Sequence, residues 1–185
     1  MKSKMHNEDT YTGASFSIKN RTTRLVWNIV YLIFFKYSPR PLHNWRSFLL
    51  RLFGAKIGKG VHIYPKVKIW APWNLEVHDE VGVADGADLY SQGKIILEFR
   101  SIVSQRSYIC TGTHDFTLKG HPLYTKSIKI SKFAWVAAEA FVGPGVTVGE
   151  GAVVGARAAV FKNVEPWAVV GGNPAKFIKT REIKD

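Results

Sequence analysis

From Ile57 onward, aliphatic residues recur every six positions along the chain. The register holds over five positions, shifts once, and resumes after a second break. Neither alternation by two nor a 3.6-residue period generates a spacing of six, whereas short strands joined by tight turns do. The aliphatic positions are Ile57, Ile63, Ile69, Leu75, Val81, Leu97, Val103, Ile109, Ile130, Val136, Val142, Val148, Val154 and Val160.

This repeat predicts an all-β solenoid in which hexapeptides wind into a parallel β-helix. The aliphatic side chains point inward, and the glycines that follow several of them allow tight turns between short strands. A sandwich of short strands would instead give spacings of about 8–12 residues. We expect the β-helix domain to span residues 55–172, followed by a short C-terminal helix and tail over residues 173–185.

Two stretches interrupt the repeat, at residues 85–94 and 113–127. A solenoid buries its core continuously and tolerates insertions only as loops on one face. The second stretch contains His114, Asp115 and His121. Loops held by a rigid scaffold commonly carry function, so we expect the inserted loop at 113–127 to hold functional residues.

Residues 1–54 form a different region, which the pattern predicts to be basic and partly helical. Residues 1–20 are polar and lack apolar periodicity, and the first sustained apolar run covers only residues 25–35. We therefore expect no secretory signal, and about 11 residues are too few for a bilayer crossing, which needs about 20. Pro39 and Pro41 separate this run from a second helical stretch at residues 43–53.

The second helical stretch predicts an apolar stripe of Trp45, Phe48, Leu49 and Leu52, with Arg46 and Arg51 off the stripe. One interpretation is that the two helices cap the core of the β-helix. The other is that they form a basic amphipathic pair on an anionic membrane surface. The two interpretations are compatible.

The net charge of +12 is unevenly distributed. Residues 1–60 carry eleven Lys or Arg against two acidic residues, whereas residues 61–185 carry fifteen against twelve. No known nucleic-acid-binding module is present, so the asymmetry indicates a basic N-terminal region that faces an acidic partner. The single cysteine, Cys110, excludes an internal disulfide and a cysteine-based zinc cluster and fits a cytoplasmic, reducing location.

Three segments carry a resemblance to a known family: residues 109–115 (ICTGTHD), 133–136 (FAWV) and 169–179 (VVGGNPAKFIK). With them, the chain resembles the hexapeptide-repeat acyltransferases, which are left-handed β-helices. Within that family it is similar to the sugar O-acetyltransferases that act on maltose and galactoside, and to the acetyltransferases of colanic acid biosynthesis. The resemblance covers roughly residues 55–182.

The resemblance implies a homotrimer that uses acetyl-CoA and no metal, with His114 as the general base. Neutral imidazole can take a proton from an acceptor hydroxyl and return it to the departing thiolate of coenzyme A. It also implies that coenzyme A lies in a groove between subunits, where Trp135 packs on the pantetheine and two lysines meet the 3′-phosphate. The residues implied in coenzyme A binding are Trp135, Ala137, Ala138, Ala156, Lys176 and Lys179.

Other positions support the comparison less well. Asp115 either orients the imidazole or starts a turn, and His121 is either an ordinary loop residue or a contact to the acceptor. The family binds its acceptor through an Asn or Asp in the first interruption, for which Asp85 and Asp88 are the candidates, with Asp85 preferred. Ala137 and Glu139 depart from the residues that are usual in the family's turns.

We therefore expect an acetyl-CoA-dependent O-acetyltransferase that modifies a sugar hydroxyl of an exopolysaccharide or related glycan precursor. Transfer is expected to be direct, because no third group is evident to orient a Cys110–His pair. One alternative is a non-catalytic trimeric scaffold. Another is a γ-carbonic-anhydrase-like metalloenzyme, which needs three convergent histidines, and His62 and His78 lack the spacing to join His114.

Overall fold

The computed structural model describes residues 3–4 and 9–183, with side chains from Asp9 onward. The expectations for the charges at residues 1–8 and for the last two residues therefore lie outside the described side chains. The N-terminal region contains α1 (Ile18–Val30), which continues as a π-helical turn (Tyr31–Phe35), and α2 (His43–Leu52). In the described part of the chain, no helix combines the length and the apolar character that a bilayer crossing requires.

Short strands make up the rest of the fold. They are β1 (Ser3–Lys4), β2 (Lys56–Ile57), β3 (His62–Ile63), β4 (Lys68–Ile69), β5 (Leu75–Val77), β6 (Gly82–Val83), β7 (Asp88–Tyr90), β8 (Ile95–Leu97), β9 (Ile102–Val103), β10 (Tyr108–Cys110), β11 (Gly112–His114), β12 (Leu123–Thr125), β13 (Ile128–Ile130), β14 (Trp135–Val136), β15 (Phe141–Val142), β16 (Thr147–Val148), β17 (Val153–Val154), β18 (Ala159–Val160), β19 (Ala168–Gly171) and β20 (Lys176–Thr180).

The strands from β2 onward wind into a parallel β-helix of about six turns, as the repeat predicts. Each turn visits three sheets in the same order, which we call the first face (β2, β5, β8, β13, β16), the second face (β3, β6, β9, β14, β17, β19, β20) and the third face (β4, β7, β10, β15, β18). Except for β20, the paired strands within these three sheets are parallel. The aliphatic side chains between the faces form one continuous buried core.

The predicted register is wrong for Leu75 and Val81. Ile57 pairs with Val77 and Ile63 with Val83, so the first turn is twenty residues long rather than eighteen. Two extra residues fall at a 3₁₀ turn (Pro72–Asn74), before Leu75, where the sequence pattern shows no break. The second turn is also twenty residues long, because Val77 pairs with Leu97, and its two extra residues lie between Leu89 and Leu97, at the predicted first interruption. Leu75 and Val81 are still buried, because the position two residues before each main aliphatic also points inward.

The two N-terminal helices cap the first turn of the β-helix, as one of the two interpretations predicts. Trp27 and Phe35 are completely buried, and Leu50 from α2 joins the same core cluster. The indole Nε1 of Trp27 donates a hydrogen bond to the Ile69 carbonyl, 2.7 Å away. This cap covers aliphatic surface that the end of a solenoid would otherwise expose.

The predicted face of α2 is wrong in one respect. Arg46, placed off the apolar stripe, is completely buried, whereas Trp45, Phe48 and Leu52 are 38–65% exposed. The Arg46 guanidinium donates to the carbonyls of Ile63 and of two loop residues, and to a serine hydroxyl. The planar fork of arginine can satisfy several acceptors at once, so these bonds offset the cost of burial and leave the aromatic residues outside.

The predicted C-terminal helix is also wrong, because β20 is a strand. It pairs antiparallel with β19 after a tight turn at Gly172, whose φ is +94°. The strand covers the edge that β19 would otherwise leave unpaired at the end of the second face.

Candidate active site

The inserted loop forms a β-hairpin at the corner between the third and first faces. It follows β10 on the third face and precedes β13 on the first face. Strands β11 and β12 pair antiparallel, with Gly112 opposite Thr125 and His114 opposite Leu123. We call this segment, residues 111–127, the hairpin. Its position confirms the predicted excursion from the repeat.

His114 ends β11 with an exposed side chain. Its Nδ1 lies 2.6 Å from the His121 carbonyl oxygen. A carbonyl can only accept, so Nδ1 carries the proton in this contact and Nε2 of the neutral ring is the basic nitrogen. The arrangement presents a proton acceptor to solvent at the edge of the β-helix.

Asp115 and His121 flank this contact in different ways. The Asp115 carboxylate accepts from the backbone N–H and the hydroxyl of Thr117, which is the turn role that the sequence allows. His121 contributes its backbone carbonyl to His114, a role that residue type does not reveal. Its backbone has a φ of +41°, in the left-handed region.

Asp85 does not approach His114 within one chain. It precedes β7, whereas His114 follows β10, and these two neighbouring strands run parallel on the third face, so the residues lie at opposite strand ends. The Asp85 carboxylate accepts from the Lys66 N–H and lies 3.7 Å from the Arg40 guanidinium.

Cys110 is buried at the end of β10. Its thiol lies 3.3 Å from the Gly112 carbonyl, toward which it can donate a hydrogen bond. A thiol held in this way is poorly placed for nucleophilic attack on an external thioester.

The second face carries a groove of about 530 Å³, which we call the second-face groove. Trp135 of β14 is 42% exposed within it, and its indole Nε1 donates to the Ser104 hydroxyl at 2.8 Å. Ile102, directly opposite Trp135 on β9, continues the apolar floor. The groove is also lined by Phe133, Trp167, Arg181, Glu80, Arg100 and Ile183.

The three alanines lie at the corner between the second and third faces, beyond the end of the groove. Ala137 is buried, and its N–H donates to the Val154 carbonyl, so this donor is already used. The Ala138 carbonyl accepts from the Arg157 N–H on the next turn. Ala156 is the exposed member of the set.

Lys176 and Lys179 lie on one face, although the predicted helix is absent. Lys176 pairs with Gly171 and Lys179 with Val169, and a bulge between these pairs accommodates the odd spacing. Gly171 and Val169 are two residues apart on β19, so both lysines lie opposite the same outward side of the strand. Both side chains are exposed.

Glu139 occupies a left-handed turn beside the alanines, with a φ of +59°. Its carboxylate accepts from Arg157 at 2.6 Å and from Arg106 at 2.8 Å. These two hydrogen-bonded guanidinium groups lower the pKa of Glu139. The unusual residue in this turn is therefore the centre of an ion-pair ladder across three turns of the β-helix.

The described residues do not assemble a metal site. No group of three or more His, Cys, Asp or Glu within residues 9–183 has a metal-binding arrangement. His62 stacks on His43 with ring centroids 4.6 Å apart, and His78 lies 3.3 Å from the Glu76 carboxylate. The histidines named by the metalloenzyme alternative therefore lie in separate environments.

Comparison with known proteins identifies the family. The chain is 47% identical over 156 residues to the colanic acid biosynthesis acetyltransferase WcaF of Escherichia coli, which covers 84% of this chain and 86% of that protein. No family model matches the chain.

Solved structures share the fold. A hexapeptide-repeat acetyltransferase of Vibrio cholerae in complex with acetyl coenzyme A superposes with a TM-score of 0.83, at 18% identity over 92% of this chain and 93% of the other. A maltose O-acetyltransferase of Clostridium difficile gives a TM-score of 0.80, at 22% identity over 90% of each chain. Together with the identity to WcaF, the repeat and the hairpin histidine, these findings show that the chain belongs to the hexapeptide-repeat acetyltransferases.

Proposed function

We propose that this protein transfers an acetyl group from acetyl-CoA to a sugar hydroxyl of an exopolysaccharide or related glycan precursor, with His114 as general base. The hydrogen bond from His114 Nδ1 to the His121 carbonyl carries the proposal, because it leaves Nε2 as an exposed base. The colanic acid assignment of WcaF and the maltose acceptor of the Clostridium difficile enzyme support a carbohydrate acceptor.

The reaction is a direct transfer in a ternary complex. His114 Nε2 takes the proton of the acceptor hydroxyl as its oxygen attacks the thioester carbonyl. The tetrahedral intermediate then collapses, the carbon–sulfur bond breaks, and the imidazolium returns the proton to the thiolate of coenzyme A. The burial of Cys110 supports a route without an acyl-enzyme.

The active enzyme is a homotrimer with each site between two subunits. What supports this is the separation of the two halves of the site: His114 lies at the corner between the third and first faces, whereas Trp135, Lys176 and Lys179 belong to the second face. A cyclic trimer that packs the second face of one subunit beside the third face of the next would bring the halves together.

The outer surfaces of the faces support this packing. The third face carries a ladder of aromatic rings with centroids 5.6–6.1 Å apart, formed by Trp70, Tyr90, Tyr108, Phe141 and Phe161. Burial raises the pKa of Tyr108, which keeps its phenol neutral. The first face instead carries exposed ion pairs such as Lys94–Glu76 and Lys129–Glu98, as a solvent-facing surface does.

Activity measurements with a soluble acceptor test the proposal. Purified protein, acetyl-CoA and a panel of sugars and nucleotide sugars are incubated, and free thiol of coenzyme A is measured. We expect acceptor-dependent release that His114→Ala reduces strongly and that His78→Ala, a matched control at an exposed histidine outside the site, leaves intact. Equal release by wild type and His114→Ala with every acceptor would contradict the proposal.

We also propose that the N-terminal cap holds this cytoplasmic enzyme against an anionic membrane surface. Between residues 10 and 75 the sequence contains eleven Lys or Arg and neither Asp nor Glu. The cap exposes a set of apolar side chains: Leu25, Ile29, Leu32, Ile33, Phe34, Trp45, Phe48 and Leu52. Exposed apolar residues in a positively charged region are the features of an interfacial helix pair.

Vesicle sedimentation tests this contact. We expect the protein to pellet with vesicles containing phosphatidylserine and to remain in solution with neutral phosphatidylcholine vesicles. The variant Leu32→Asp/Phe48→Asp should lose this binding, whereas Ile183→Asp, at an exposed apolar residue of the second-face groove and outside the cap, should keep it. A change of molecular mass in the first variant, with no lipid binding by the wild type, would instead assign the face to a subunit contact.

A further inference from the structure

The N-terminal segment reaches the hairpin that carries His114. Strand β1 adds to the edge of the hairpin, with Ser3 opposite Thr125 and Lys4 opposite Tyr124. Further along, the backbone N–H of Thr10 donates to the Gly120 carbonyl at 3.0 Å. The segment before α1 therefore contacts a loop more than a hundred residues away in sequence.

Two side chains of this segment contact His121. The Thr10 hydroxyl is directed at two carbonyls, that of Gly120 at 2.8 Å and that of His121 at 3.0 Å. The Tyr11 hydroxyl lies 3.1 Å from His121 Nδ1, and the two rings are 5.9 Å apart. Both the backbone and the ring of His121 are thus held from the N-terminal side.

The same His121 carbonyl accepts from His114 Nδ1. One carbonyl oxygen, which has two lone pairs, therefore meets the Thr10 hydroxyl and the imidazole of the base. His121 also adopts a left-handed backbone conformation, which a non-glycine residue keeps only when its surroundings hold it. The contacts from Thr10 and Tyr11 supply part of that restraint.

We propose that Thr10 and Tyr11 are positioning residues for the catalytic base, acting through His121. The inference rests on the proposed function of His114. The two residues hold the His121 carbonyl where it binds the Nδ1 proton of His114, and so make Nε2 the proton-free nitrogen of the neutral ring and direct it at the acceptor. Neither residue contacts the second-face groove, so their role concerns the rate of transfer and not the binding of coenzyme A.

Kinetics of side-chain variants test the proposal. We expect Thr10→Val combined with Tyr11→Phe to lower kcat by about 10-fold to 100-fold, since misplacing a catalytic group by a fraction of an ångström to 1 Å has effects of this order. The KM for acetyl-CoA should not change. Thr10→Ser should have a kcat close to that of the wild type, because serine keeps the hydroxyl that valine lacks. Thr12→Val and Tyr37→Phe make the same chemical changes at exposed positions without a described contact to His121, and should leave kcat unaltered.

A second measurement separates positioning from general destabilisation. In a His114→Ala background, the Thr10→Val/Tyr11→Phe change should have no further effect on the residual rate, because the base it positions is gone. An equal fall of kcat with and without His114, or an unchanged kcat in its presence, would overturn the proposal.

Nitrogen-15 NMR of the imidazole tests the geometry without any acceptor. The His114 resonances, assigned by comparison with His114→Ala, should report the tautomer with the proton on Nδ1 in the wild type. They should report a mixture of tautomers in the Thr10→Val/Tyr11→Phe variant. An inactive wild type that still shows this tautomer shift would reject the proposed acetyl transfer and keep the positioning role; an unshifted tautomer would reject the positioning role itself.

Discussion

The hairpin and the second-face groove, which we propose as the two halves of one reaction site, are built in different ways. The groove is a product of the repeat: Trp135 and Ile102 face each other because β14 and β9 are adjacent turns of the same sheet. The hairpin interrupts the repeat, and its key atom is a backbone carbonyl in a left-handed conformation. The proposed binding surface thus comes from the regular β-helix, and the proposed base comes from a segment that interrupts it.

The difference shows which contacts determine the position of a side chain in each region. A residue of the regular β-helix is positioned by strand pairing with the turns on both sides, so the register of the repeat determines its neighbours. A residue in the hairpin depends on contacts made by few other groups. His114 is oriented by a single carbonyl, and that carbonyl is itself contacted by a distant segment of the chain.

The largest expected effect comes from trimers in which some subunits lack the proposed base and the others lack the groove tryptophan. His114→Ala and Trp135→Ala chains are co-expressed with different tags, and trimers carrying both are purified. Every mixed trimer then has one site whose base and groove are both intact. At acetyl-CoA concentrations well below KM, where a site with Trp135→Ala is slow, we therefore expect about one third of the wild-type rate. His114→Ala trimers alone should lose about 10²–10⁴-fold in kcat.

A different outcome is expected if the site does not lie between subunits. If each chain contained a complete site, mixing would restore nothing, and the mixed trimers would show only the average of the two variants. Trimers formed from two differently tagged His114→Ala chains serve as the control for the purification.

The next largest effect is on the free energy of unfolding, and it compares the core of the β-helix with the hairpin. Val154 is completely buried between Val136 and Val170 of the neighbouring turns. We expect Val154→Ala to lower the free energy of unfolding by about 2 kcal/mol, from lost burial and a small cavity. Leu118→Ala, at a half-exposed position in the hairpin, should change it by less than about 0.5 kcal/mol. Urea denaturation measures both, and equal losses would show that the hairpin is part of the cooperative core.

The repeat made the β-helix predictable from the sequence, because each aliphatic position constrains the next one. Ile130, Val136 and Val142 have the predicted spacing and all lie in the core. Leu75 was misassigned because a two-residue insertion at a 3₁₀ turn leaves no gap in the aliphatic pattern: in this part of the chain, as at Val61 and Val67, the position two before a main aliphatic is also apolar.

The site was only half predictable. The ICTGTHD motif makes His114 the candidate base, but it does not reveal that the His121 carbonyl contacts His114 or that Thr10 reaches the same carbonyl. Backbone contacts between distant segments leave no pattern in a single sequence. Arg46 was placed outside for a related reason. Its burial depends on loop carbonyls that come together only in the folded cap.

A smaller effect is expected in the groove itself. Trp135→Ala removes an exposed indole from its floor and should raise the KM for acetyl-CoA about tenfold, with little change in kcat. Trp135→Phe keeps an aromatic ring but loses the hydrogen bond to the Ser104 hydroxyl, so its effect should be smaller. Steady-state kinetics at a saturating acceptor concentration distinguish the two. A loss confined to kcat would mean that Trp135 belongs with the base and not with coenzyme A.

The smallest expected effect comes from the two lysines of β20. Their side chains are exposed, and an exposed ion pair contributes only about 0.2–1 kcal/mol. We therefore expect Lys176→Ala/Lys179→Ala to raise the KM for acetyl-CoA by a factor of about 2–5 at low salt, and by less at high salt because the charges are screened. Lys66→Ala, at an exposed lysine elsewhere, is the matched control. The decisive comparison uses acetyl-dephospho-CoA, which lacks the 3′-phosphate: the wild type and the double variant should then have the same KM. If the double variant still has the higher KM with that donor, the lysines bind a part of coenzyme A other than the 3′-phosphate, and that part lies at the bulge between β19 and β20.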